Sequence, residues 1–314
     1  MREIRIEKND SGQRLDKFLQ KYLREASKSF LYKMLRKKNI KLNGKKAEGK
    51  EMLAIGDTVT IFFSEETLAK FRGTKQTTRF PVTKLDILYE DNDVALINKP
   101  AGMLSQKAKN DDTTLVEYFL GYLQEKGKWS AGGSFTPSVC NRLDRNTSGL
   151  VIAGKSLLGL QKMSELLKER SIDKYYLTIV EGVMKENSMI RGYLSKDAKT
   201  NKVFVYHEDG ADRTYIETGY EPLMNNGKYT LLRVKLITGK THQIRSHLSS
   251  IGHPLMADVK YGGKKVEGER CFFLHAEWLR FPKLEEPFNR LSEREVRAPL
   301  PYRFENMIQQ LFGK

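Results

Sequence analysis

One aspartate of this sequence stands out because arginines flank it. Asp144 lies between Arg142 and Arg145 in the segment VCNRLDRNTSGLVIAG, which runs from Val139 to Gly154. The apolar run GLVIAG predicts a buried strand, so the loop before it can be held at the rim of a sheet with its side chains facing a cleft. A carboxylate in that place can act as a nucleophile or as a general base. It can also cap backbone N–H groups or pair with either arginine, and the segment alone favours this structural role.

A second polar cluster follows the predicted strand YTLLRVKLITG. Thr241 is the predicted N-cap of a short helix, and Gly252 is its predicted C-terminal stop. The apolar positions of this helix share one face: Ile244, Leu248 and Ile251. Arg245 lies off that face, so its guanidinium is free to meet a carboxylate.

Several common chemical motifs are absent from the sequence. The string TGKTHQ lacks the first glycine of a Walker phosphate loop, because Val234 stands in its place. The string NTSGL lacks the first glycine of a nucleophile elbow, where Asn146 stands. The histidines lack HExxH spacing, and the two cysteines do not form a CxxC pair or a disulfide framework. We therefore predict no metal site, and the low cysteine content fits a reducing cytosol.

The charge of the chain indicates a polyanionic partner. The sequence has 55 Lys and Arg against 39 Asp and Glu, a net charge of +16 and a pI of about 9.6. A solvated basic surface would give the same totals, so clustering is the informative feature. Thirteen cations lie between Gly12 and Lys50, against only Asp16, Glu25 and Glu48. They are Arg14, Lys17, Lys21, Arg24, Lys28, Lys33, Arg36, Lys37, Lys38, Lys41, Lys45, Lys46 and Lys50.

Nucleic acid is the partner that this cluster favours. A membrane-surface helix would need exposed apolar side chains opposite its basic face, whereas the apolar residues here are needed for a very small core. The N-terminal segment MREIRIEKND has no apolar signal region, and no stretch is long and apolar enough to cross a bilayer. We therefore predict a soluble, cytoplasmic protein with no membrane partner.

The periodicity of the chain predicts an α+β protein with two units. Residues 1–63 contain two short amphipathic helices, followed by short antiparallel strands with a turn at Asn43 and Gly44. Their helical spacing is carried by Leu15, Phe18, Leu19 and Tyr22, and then by Phe30, Leu31, Met34 and Leu35. Residues 64–81 are polar, lack clear periodicity and are predicted to be a linker. Residues 82–314 are predicted to form a mixed, largely antiparallel sheet interrupted by helices.

The strands of the larger unit are predicted at DILYE, DVALINKP, GLVIAG, KYYLTIVEG, KVFVYH and YTLLRVKLITG. The segment SLLGLQKMSELLKER has helical spacing. Lys99, Pro100 and Gly102, which end the second strand, are predicted to shape a loop near the site.

Two families are recognisable in these segments. The first unit resembles the S4 RNA-binding domain through GQRLDKFLQKYL, SKSFLYKMLRKKNIKLNGKK and GDTVTIFF. The second resembles the RluA-type pseudouridine synthases through NKPAGM, NRLDRNTSGL, KYYLTIVEG, TGKTHQIRSHLSSIGHPLMAD with KYGG, and FLHAEWLRFP. An S4 domain ahead of such a catalytic domain is typical of the RluC and RluD branch. Together the two likenesses cover nearly the whole chain.

The resemblance implies a role for each matching residue. Asp144 corresponds to the catalytic aspartate, Tyr176 to the tyrosine that stacks on the target base, Arg245 to the arginine that pairs with the aspartate, and Arg142 to the residue that fills the space left by a flipped base. An arginine beside Asp144 would favour the ionised carboxylate. The other residues expected to contact RNA are Arg14, Lys33, Arg36, Lys37, Lys38, Lys240, His242 and Gln243. For His242 and Gln243 the alternative is that they orient the start of the helix.

The match departs from the family pattern at four places. Asn141 stands where histidine is usual, Lys240 where arginine is usual, Ala257 before Asp258 where glycine is usual, and Thr178 where alanine is frequent. None of these departures removes an implied catalytic role. Asparagine still hydrogen bonds without carrying an imidazole charge, and lysine keeps a cation without the bidentate geometry of arginine.

The sequence therefore predicts an enzyme that isomerises uridine in structured RNA, with large-subunit (23S) ribosomal RNA as the expected substrate and no metal or small-molecule cofactor. Transfer RNA is an alternative substrate. A second alternative is an RNA-binding or ribosome-assembly factor with a vestigial catalytic domain. The protein is expected to be a monomer. The sequence does not decide whether Asp144 adds to the base, attacks C1′ or removes the C2′ proton.

Overall fold

The computed structural model describes residues 1–72, 79–131, 134–197 and 200–313. The N-terminal unit has four strands and three helices: β1 (Arg2–Arg5), α1 (Leu15–Tyr22), α2 (Lys28–Arg36), β2 (Ile40–Leu42), β3 (Lys45–Lys46), β4 (Thr58–Ile61) and α3 (Glu65–Arg72). The sheet is antiparallel in the order β1-β4-β2-β3. Asn43 and Gly44, with φ of 49° and 73°, form the tight turn between β2 and β3. Two helices followed by short antiparallel strands are what the sequence predicts.

The segment predicted as a linker begins with a helix that belongs to this unit. Leu68 of α3 is buried in the N-terminal core, and Phe71 packs on Phe30 with ring centroids 4.5 Å apart. The expectation of an irregular segment is therefore wrong for Glu65–Arg72, because two apolar side chains are enough to dock a polar helix on an existing core. Part of the predicted linker, residues 73–78, lies outside the described residues.

The larger unit is built on one mixed sheet to which the described residues contribute eleven strands. They are β5 (Asp86–Glu90), β6 (Val94–Lys99), β7 (Ser138–Val139), β8 (Ser148–Gly154), β9 (Asp173–Glu181), β10 (Ser188–Lys196), β11 (Val203–Tyr206), β12 (Thr214–Asn225), β13 (Tyr229–Leu236), β14 (Leu274–Arg280) and β15 (Glu295–Arg297). The main order is β11-β10-β12-β13-β9-β14-β8-β6-β5, with β15 on β14 and β7 on β8.

Four helices pack against this sheet: α4 (Leu115–Glu125), α5 (Leu157–Lys168), α6 (Gln243–Ser250) and α7 (Tyr302–Phe312). Single 3₁₀ turns occur at Val259–Tyr261 and Asn289–Leu291. Among the strand pairs of the described residues, only β14 with β8 is parallel. The predicted α+β class and the predicted strands are confirmed. No helix in the described ranges is both long and apolar enough to cross a membrane.

The two units touch through a few polar contacts. Lys8 forms an ion pair with Asp93 at 3.0 Å, and the Gln161 side chain donates to the Gly12 carbonyl at 3.2 Å. Ser134 donates to the Asp10 carboxylate. These contacts are small in number and lie at the start of the N-terminal unit, before its basic helices.

The parallel pair of β8 and β14 fixes the start of β8, which follows the Asp144 loop. Ser148 lies opposite His275, and Gly149 lies opposite Ala276. The Ser148 hydroxyl donates to His275 Nδ1 at 2.8 Å, because His275 Nε2 donates to the Ala298 carbonyl at 3.3 Å. Gly149 has φ of 108°, and a Cβ there would lie 2.2 Å from the Ala276 carbonyl oxygen. Only glycine permits this approach of the two strands.

Helix α6 starts differently from the sequence-based expectation. His242, with φ of 53° and ψ of 16°, occupies the N-cap position, and the predicted cap Thr241 is exposed. The cause is Gln243, whose amide oxygen accepts from the Thr238 hydroxyl (2.9 Å) and the Lys240 N–H (3.0 Å). The amide nitrogen of Gln243 donates at 3.0 Å both to the Glu217 carbonyl and to the Thr218 hydroxyl. These bonds hold the preceding loop in place of a capping side chain.

The far end of α6 is partly as predicted. Gly252, with φ of 84°, follows the helix as the expected stop. Ile244 and Leu248 are buried, but Ile251 is 36% exposed, so the predicted apolar face is one residue shorter than expected. His247 is fully buried on this helix and accepts at Nδ1 from the Thr218 hydroxyl at 2.8 Å. Its Nε2 has no partner among the described residues, and burial lowers the pKa of His247 to about 4.

We expect Gly149→Ala to destabilise the protein by roughly 3 kcal/mol or more, since the new methyl group overlaps a backbone carbonyl at a positive φ. Urea unfolding followed by circular dichroism measures this loss. Gly219→Ala in β12 is the matched control, because its Cβ would meet only side-chain atoms, those of Met189 at 3.4 Å and of Lys235 at 3.7 Å. Equal losses for the two variants would contradict the role given to Gly149.

We expect the free energy of unfolding to fall as the pH decreases from about 6.5 to about 4. In that window the unfolded state binds a proton at His247 and the folded state does not, so the loss is on the order of 3 kcal/mol at most. His247→Asn keeps an acceptor for Thr218 and removes the titrating group. Urea titrations at several pH values are expected to show a shallower decline for this variant. An unchanged decline would mean that His247 does not contribute.

Candidate active site

A cleft of about 1150 Å³ opens where the Asp144 loop faces the loop before α6. Asp144, Tyr176 and Arg245 line it, and so do Arg142 and Lys240. These residues come from the loop before β8, from β9, from the segment between β13 and α6 and, for Arg245, from α6 itself. The structure thus brings together the three residues for which the sequence predicts catalytic roles, although they are far apart along the chain.

The loop that carries Asp144 is fixed by hydrogen bonds on both sides of the aspartate. The Ser105 hydroxyl donates to the Leu143 carbonyl at 2.9 Å and accepts from the Leu143 N–H at 3.0 Å. On the other side, the Arg145 carbonyl accepts from the Gly102 N–H at 2.8 Å. A carboxylate on so constrained a backbone has little freedom to leave its position.

Lys99 ties the loop that follows β6 to the Asp144 loop. Its side chain is fully buried, and its Nζ donates to the carbonyls of Pro100 (2.9 Å), Met103 (2.8 Å) and Arg145 (3.2 Å). An ammonium has three N–H groups for these three acceptors. Burial lowers the pKa of Lys99 to about 7, and the charge of Asp144 opposes that lowering. Lys99 therefore shapes the loop beside the site, as the sequence predicts.

The guanidinium of Arg245 binds two carboxylates at once. Its Nη1 donates to Asp144 Oδ2 at 2.9 Å, while its Nε and Nη2 donate to the two oxygens of Asp258 at 2.7 and 2.8 Å. Arg245 is 6% exposed and Asp258 is 2% exposed. The bidentate pair with Asp258 fixes the plane of the guanidinium, and one N–H edge is left for Asp144.

Two aromatic rings hold the same guanidinium. Its carbon lies 4.1 Å from the ring centre of Phe272 and 4.9 Å from that of Tyr261. Burial alone would lower the pKa of Arg245, but the hydrogen bonds and charges of Asp258 and Asp144 outweigh burial and raise it. Arg245 therefore stays cationic, and its charge is shared between two anions.

Tyr176 presents a buried ring beside this pair. It lies in the middle of β9, between Val234 of β13 and Ala276 of β14, and is 7% exposed. Burial raises the pKa of its phenol, and the negative charge of Asp144 raises it further. The ring is thus a neutral, flat surface on the floor of the cleft, which suits stacking against a base.

The predicted RNA contacts fall into three groups. Arg142 and Lys240 are exposed on the rim of the cleft, and His242 lies in the cleft beside Asp144. Gln243 is 2% exposed and uses both amide atoms to hold the loop before α6. The structure therefore favours the alternative for Gln243, a residue that orients the helix start, over an RNA contact.

The third group lies on the N-terminal unit and not in the cleft. Its members Lys33, Arg36, Lys37 and Lys38 are exposed at the C-terminal end of α2. Arg14 also is exposed, but its guanidinium forms a bidentate pair with Asp16, at 3.0 and 2.9 Å.

Some residues of the site carried little or no signal in the sequence. Asp258, Tyr261 and Phe272 contact Arg245 but follow it at irregular distances, in a turn and a loop. The only sign of Asp258 was its place beside Ala257 in the resemblance. Within the described ranges, seven further cations line the cleft: Lys107, Arg145, Lys168, Arg170, Lys174, Lys196 and Lys260. Among the described residues, no group of three or more His, Cys, Asp or Glu side chains could hold a metal ion.

The structure shows what two of the residues that depart from the family pattern do. The Asn141 amide oxygen accepts from the Ile152 N–H at 2.8 Å, and its nitrogen donates to the Leu150 carbonyl at 3.4 Å. Asn141 thus fastens the Asp144 loop to β8. Ala257 has φ of 65°, a left-handed conformation in which glycine is less strained.

Comparison with known proteins agrees with this geometry. A family model described as RNA pseudouridylate synthase matches residues 93–250. An uncharacterized RNA pseudouridine synthase of Mycoplasma capricolum is 32% identical over 302 residues, which cover 94% of this chain and 97% of that protein. The ribosomal large subunit pseudouridine synthase C of Vibrio vulnificus is 29% identical and covers 98% of this chain and 96% of its own.

A solved structure supports the fold. Human RNA Pseudouridylate Synthase Domain Containing 4 superposes with a TM-score of 0.58 at 22% identity, and the match covers 72% of this chain and 92% of that one. The family model spans both the Asp144 loop and most of α6, and the Mycoplasma relative extends the likeness to nearly the full length. The chain therefore belongs to the RNA pseudouridylate synthase family, of the RluA type, and is an RNA pseudouridine synthase.

Proposed function

We propose that this enzyme isomerises specific uridines of large-subunit (23S) ribosomal RNA, with Asp144 as the reacting carboxylate. The observation that carries the proposal is the Asp144–Arg245 pair in a cleft rimmed by cations. The ribosomal substrate rests on the names of relatives such as the Vibrio vulnificus enzyme, whose likeness spans nearly the whole chain. A cytoplasmic location, a monomeric state and the absence of a cofactor stay predictions.

The reaction explains why the site has these parts. Isomerisation breaks the bond between C1′ and N1, turns the uracil within the site and joins C1′ to C5, while the hydrogen of C5 is lost and N1 gains one. The target base must leave the RNA stack to be reached. Arg142 on the rim is placed to fill the space that the base vacates, and the ring of Tyr176 receives the base. All three chemical routes named above use the carboxylate of Asp144.

Arg245 has two roles in this proposal. It holds Asp144 through one N–H, at 2.9 Å, and its charge stabilises the ionised carboxylate in a half-buried place. Asp258 accepts from Nε and Nη2 of Arg245 and Asp144 Oδ2 accepts from Nη1, whereas Asp144 Oδ1 has no hydrogen bond from Arg245. One carboxylate oxygen is thus left for the substrate.

The N-terminal unit supplies affinity for structured RNA. The cations at the end of α2 are exposed, and their apolar neighbours Leu31, Met34 and Leu35 are buried in the small core. A surface of this kind binds phosphates and gains affinity from counterion release. The alternative of a vestigial enzyme is disfavoured because the Asp144, Arg245 and Tyr176 arrangement is intact.

Asp144→Asn tests the catalytic proposal. The amide keeps the size of the side chain and a partner for Arg245 but cannot act as a nucleophile or base, so we expect turnover to fall by about 10⁴-fold or more with RNA binding retained. Pseudouridine mapping on 23S, 16S and transfer RNA from wild-type and deletion strains, complemented with either form, measures this. Full modification by the variant would refute the role of Asp144. Loss of pseudouridine from transfer RNA alone would refute the ribosomal substrate.

Neutralising the α2 cations tests the division of labour between the units. We expect the variant with Lys33→Gln, Arg36→Gln and Lys37→Gln to bind a ribosomal RNA fragment more weakly and to reduce the slope of log affinity against log salt by about 2 to 3. Filter binding at several salt concentrations gives both quantities. The matched control changes the exposed residues Lys264, Lys265 and Lys283 of the larger unit to glutamine. Equal effects of the two sets would show that α2 is not a specific RNA surface.

A further inference from the structure

His242 lies at the end of a chain of hydrogen bonds that leads into the cleft. The backbone N–H of Val203 donates to the Tyr261 hydroxyl oxygen at 3.1 Å, and that oxygen lies 2.8 Å from His242 Nδ1. On the other side of the ring, His242 Nε2 lies 3.8 Å from Asp144 Oδ2. The hydrogen bonds thus run from strand β11 to the imidazole of His242, whose other nitrogen lies near Asp144 without bonding to it.

The direction of these hydrogen bonds fixes which nitrogen of the His242 imidazole carries the hydrogen. A backbone N–H can only donate, so the Tyr261 oxygen accepts from Val203. The tyrosine hydrogen then has His242 Nδ1 as its acceptor, and the neutral imidazole carries its own hydrogen on Nε2. In the opposite tautomer the Tyr261 hydroxyl hydrogen would have no acceptor among the described residues. That loss is costly because Tyr261 is only 5% exposed. The favoured tautomer therefore points an N–H at Asp144.

The surroundings of His242 keep the ring neutral. Burial lowers its pKa, and the positive charges of Arg245 and Lys260 lower it further, while Asp144 and Asp258 raise it by less. Tyr261 is itself buried, and burial raises the pKa of its phenol. The imidazole of His242 and the phenol of Tyr261 therefore both stay neutral near neutral pH.

His242 Nε2 has no hydrogen-bond partner among the described residues. The 3.8 Å to Asp144 Oδ2 is too long for a hydrogen bond, and that oxygen already accepts from Arg245 Nη1. The side chain is 16% exposed and lines the cleft. The Nε2–H of His242 is therefore available to donate a hydrogen bond to a substrate atom that is bound next to Asp144.

The backbone of His242 is held in a costly conformation at this point. Its φ of 53° lies in the left-handed region, and the four hydrogen bonds of Gln243 fix the residues on either side. Left-handed backbone at a residue other than glycine is kept where the surrounding structure over-determines it, and such residues concentrate at functional sites. The strain places the imidazole over the cleft instead of along the helix.

We propose that His242 donates its Nε2 hydrogen to an oxygen of the target uridine nucleotide while that nucleotide is held against Asp144, and that Tyr261 is the positioning residue that selects this tautomer. This assignment rests on the proposed function and gives a specific form to the RNA contact that the sequence analysis expects of His242. A uridine offers ring carbonyl and ribose hydroxyl oxygens as acceptors. The neutral donor holds the nucleotide without competing with Arg245 for the carboxylate.

Nitrogen-15 NMR of the free, full-length protein tests the tautomer without any reaction. Long-range correlation of the imidazole nitrogens at neutral pH distinguishes the two tautomers and the charged ring, and the signal missing from His242→Asn assigns His242. We expect the Nε2–H tautomer in the wild type and a mixture of both tautomers in Tyr261→Phe. A hydrogen on Nδ1 in the wild type, or a charged ring, would overturn the proposal.

Single-turnover kinetics on the modified RNA test the donor. Asparagine tolerates the left-handed backbone but is too short to reach the cleft, so we expect His242→Asn to lower the rate 10- to 100-fold with the RNA dissociation constant within about twofold. His242→Gln, whose amide N–H extends further, is expected to recover part of that rate. Tyr261→Phe is expected to give an intermediate loss. His207→Asn, at an exposed histidine outside the cleft lining, is the matched control and is expected to keep the wild-type rate.

The outcomes separate this proposal from the one on which it rests. A His242→Asn enzyme with the wild-type rate, or with its whole loss in the dissociation constant, would overturn the donor role while the wild type still modifies RNA. A wild-type enzyme that modifies no RNA would overturn the proposed function, and the NMR measurement would still report the tautomer.

Discussion

The buried guanidinium of Arg245 is the interaction on which the site depends. It joins Asp144, 101 residues earlier in the chain, to Asp258, 13 residues later. A buried cation with only one carboxylate would leave two strong donors unsatisfied, and a buried Asp258 without Arg245 would be an uncompensated charge. The buried Arg245 and Asp258 are therefore tolerable because each compensates the charge of the other, and the half-buried Asp144 accepts from the remaining edge of the guanidinium.

The sheet fixes the positions from which these side chains approach one another. β8, β14 and β9 lie side by side at its centre, so the Asp144 loop and Tyr176 are positioned by neighbouring backbone and not by long flexible connections. The parallel step from β8 to β14 needs the close approach at Gly149 and the buried pair of Ser148 with His275. Those contacts lie outside the cleft, yet they set the register of the loop that carries the aspartate.

Much of this arrangement is predictable from the sequence, for identifiable physical reasons. The strand after Asp144 is an uninterrupted apolar run, and all seven residues of β8 are buried. Arg245 stands off the apolar face of a short helix, so a carboxylate partner is expected for it. The family resemblance then selects Asp144 as that partner and Tyr176 as the stacking ring, and the structure places the three side chains along one cleft.

The errors share a different property, because each depends on contacts between distant segments. α3 has only Leu68 and Phe71 to bury, and its stability comes from a core that its own sequence does not reveal. Thr241 is a reasonable cap by residue type, but the four hydrogen bonds of Gln243 decide the start of α6. Asp258 gave no local pattern, since its partner is on another element.

Two residues with left-handed backbone stand on either side of Arg245 along the chain: His242 with φ of 53° and Ala257 with φ of 65°. Each directly precedes a polar side chain that is tied down by several bonds, Gln243 in one case and Asp258 in the other. The strain at each position is thus offset by a buried network next to it. The Asp144–Arg245 pair is held in place by Gln243 and Asp258, residues to which the proposal gives no chemical step, while the strained His242 faces the cleft.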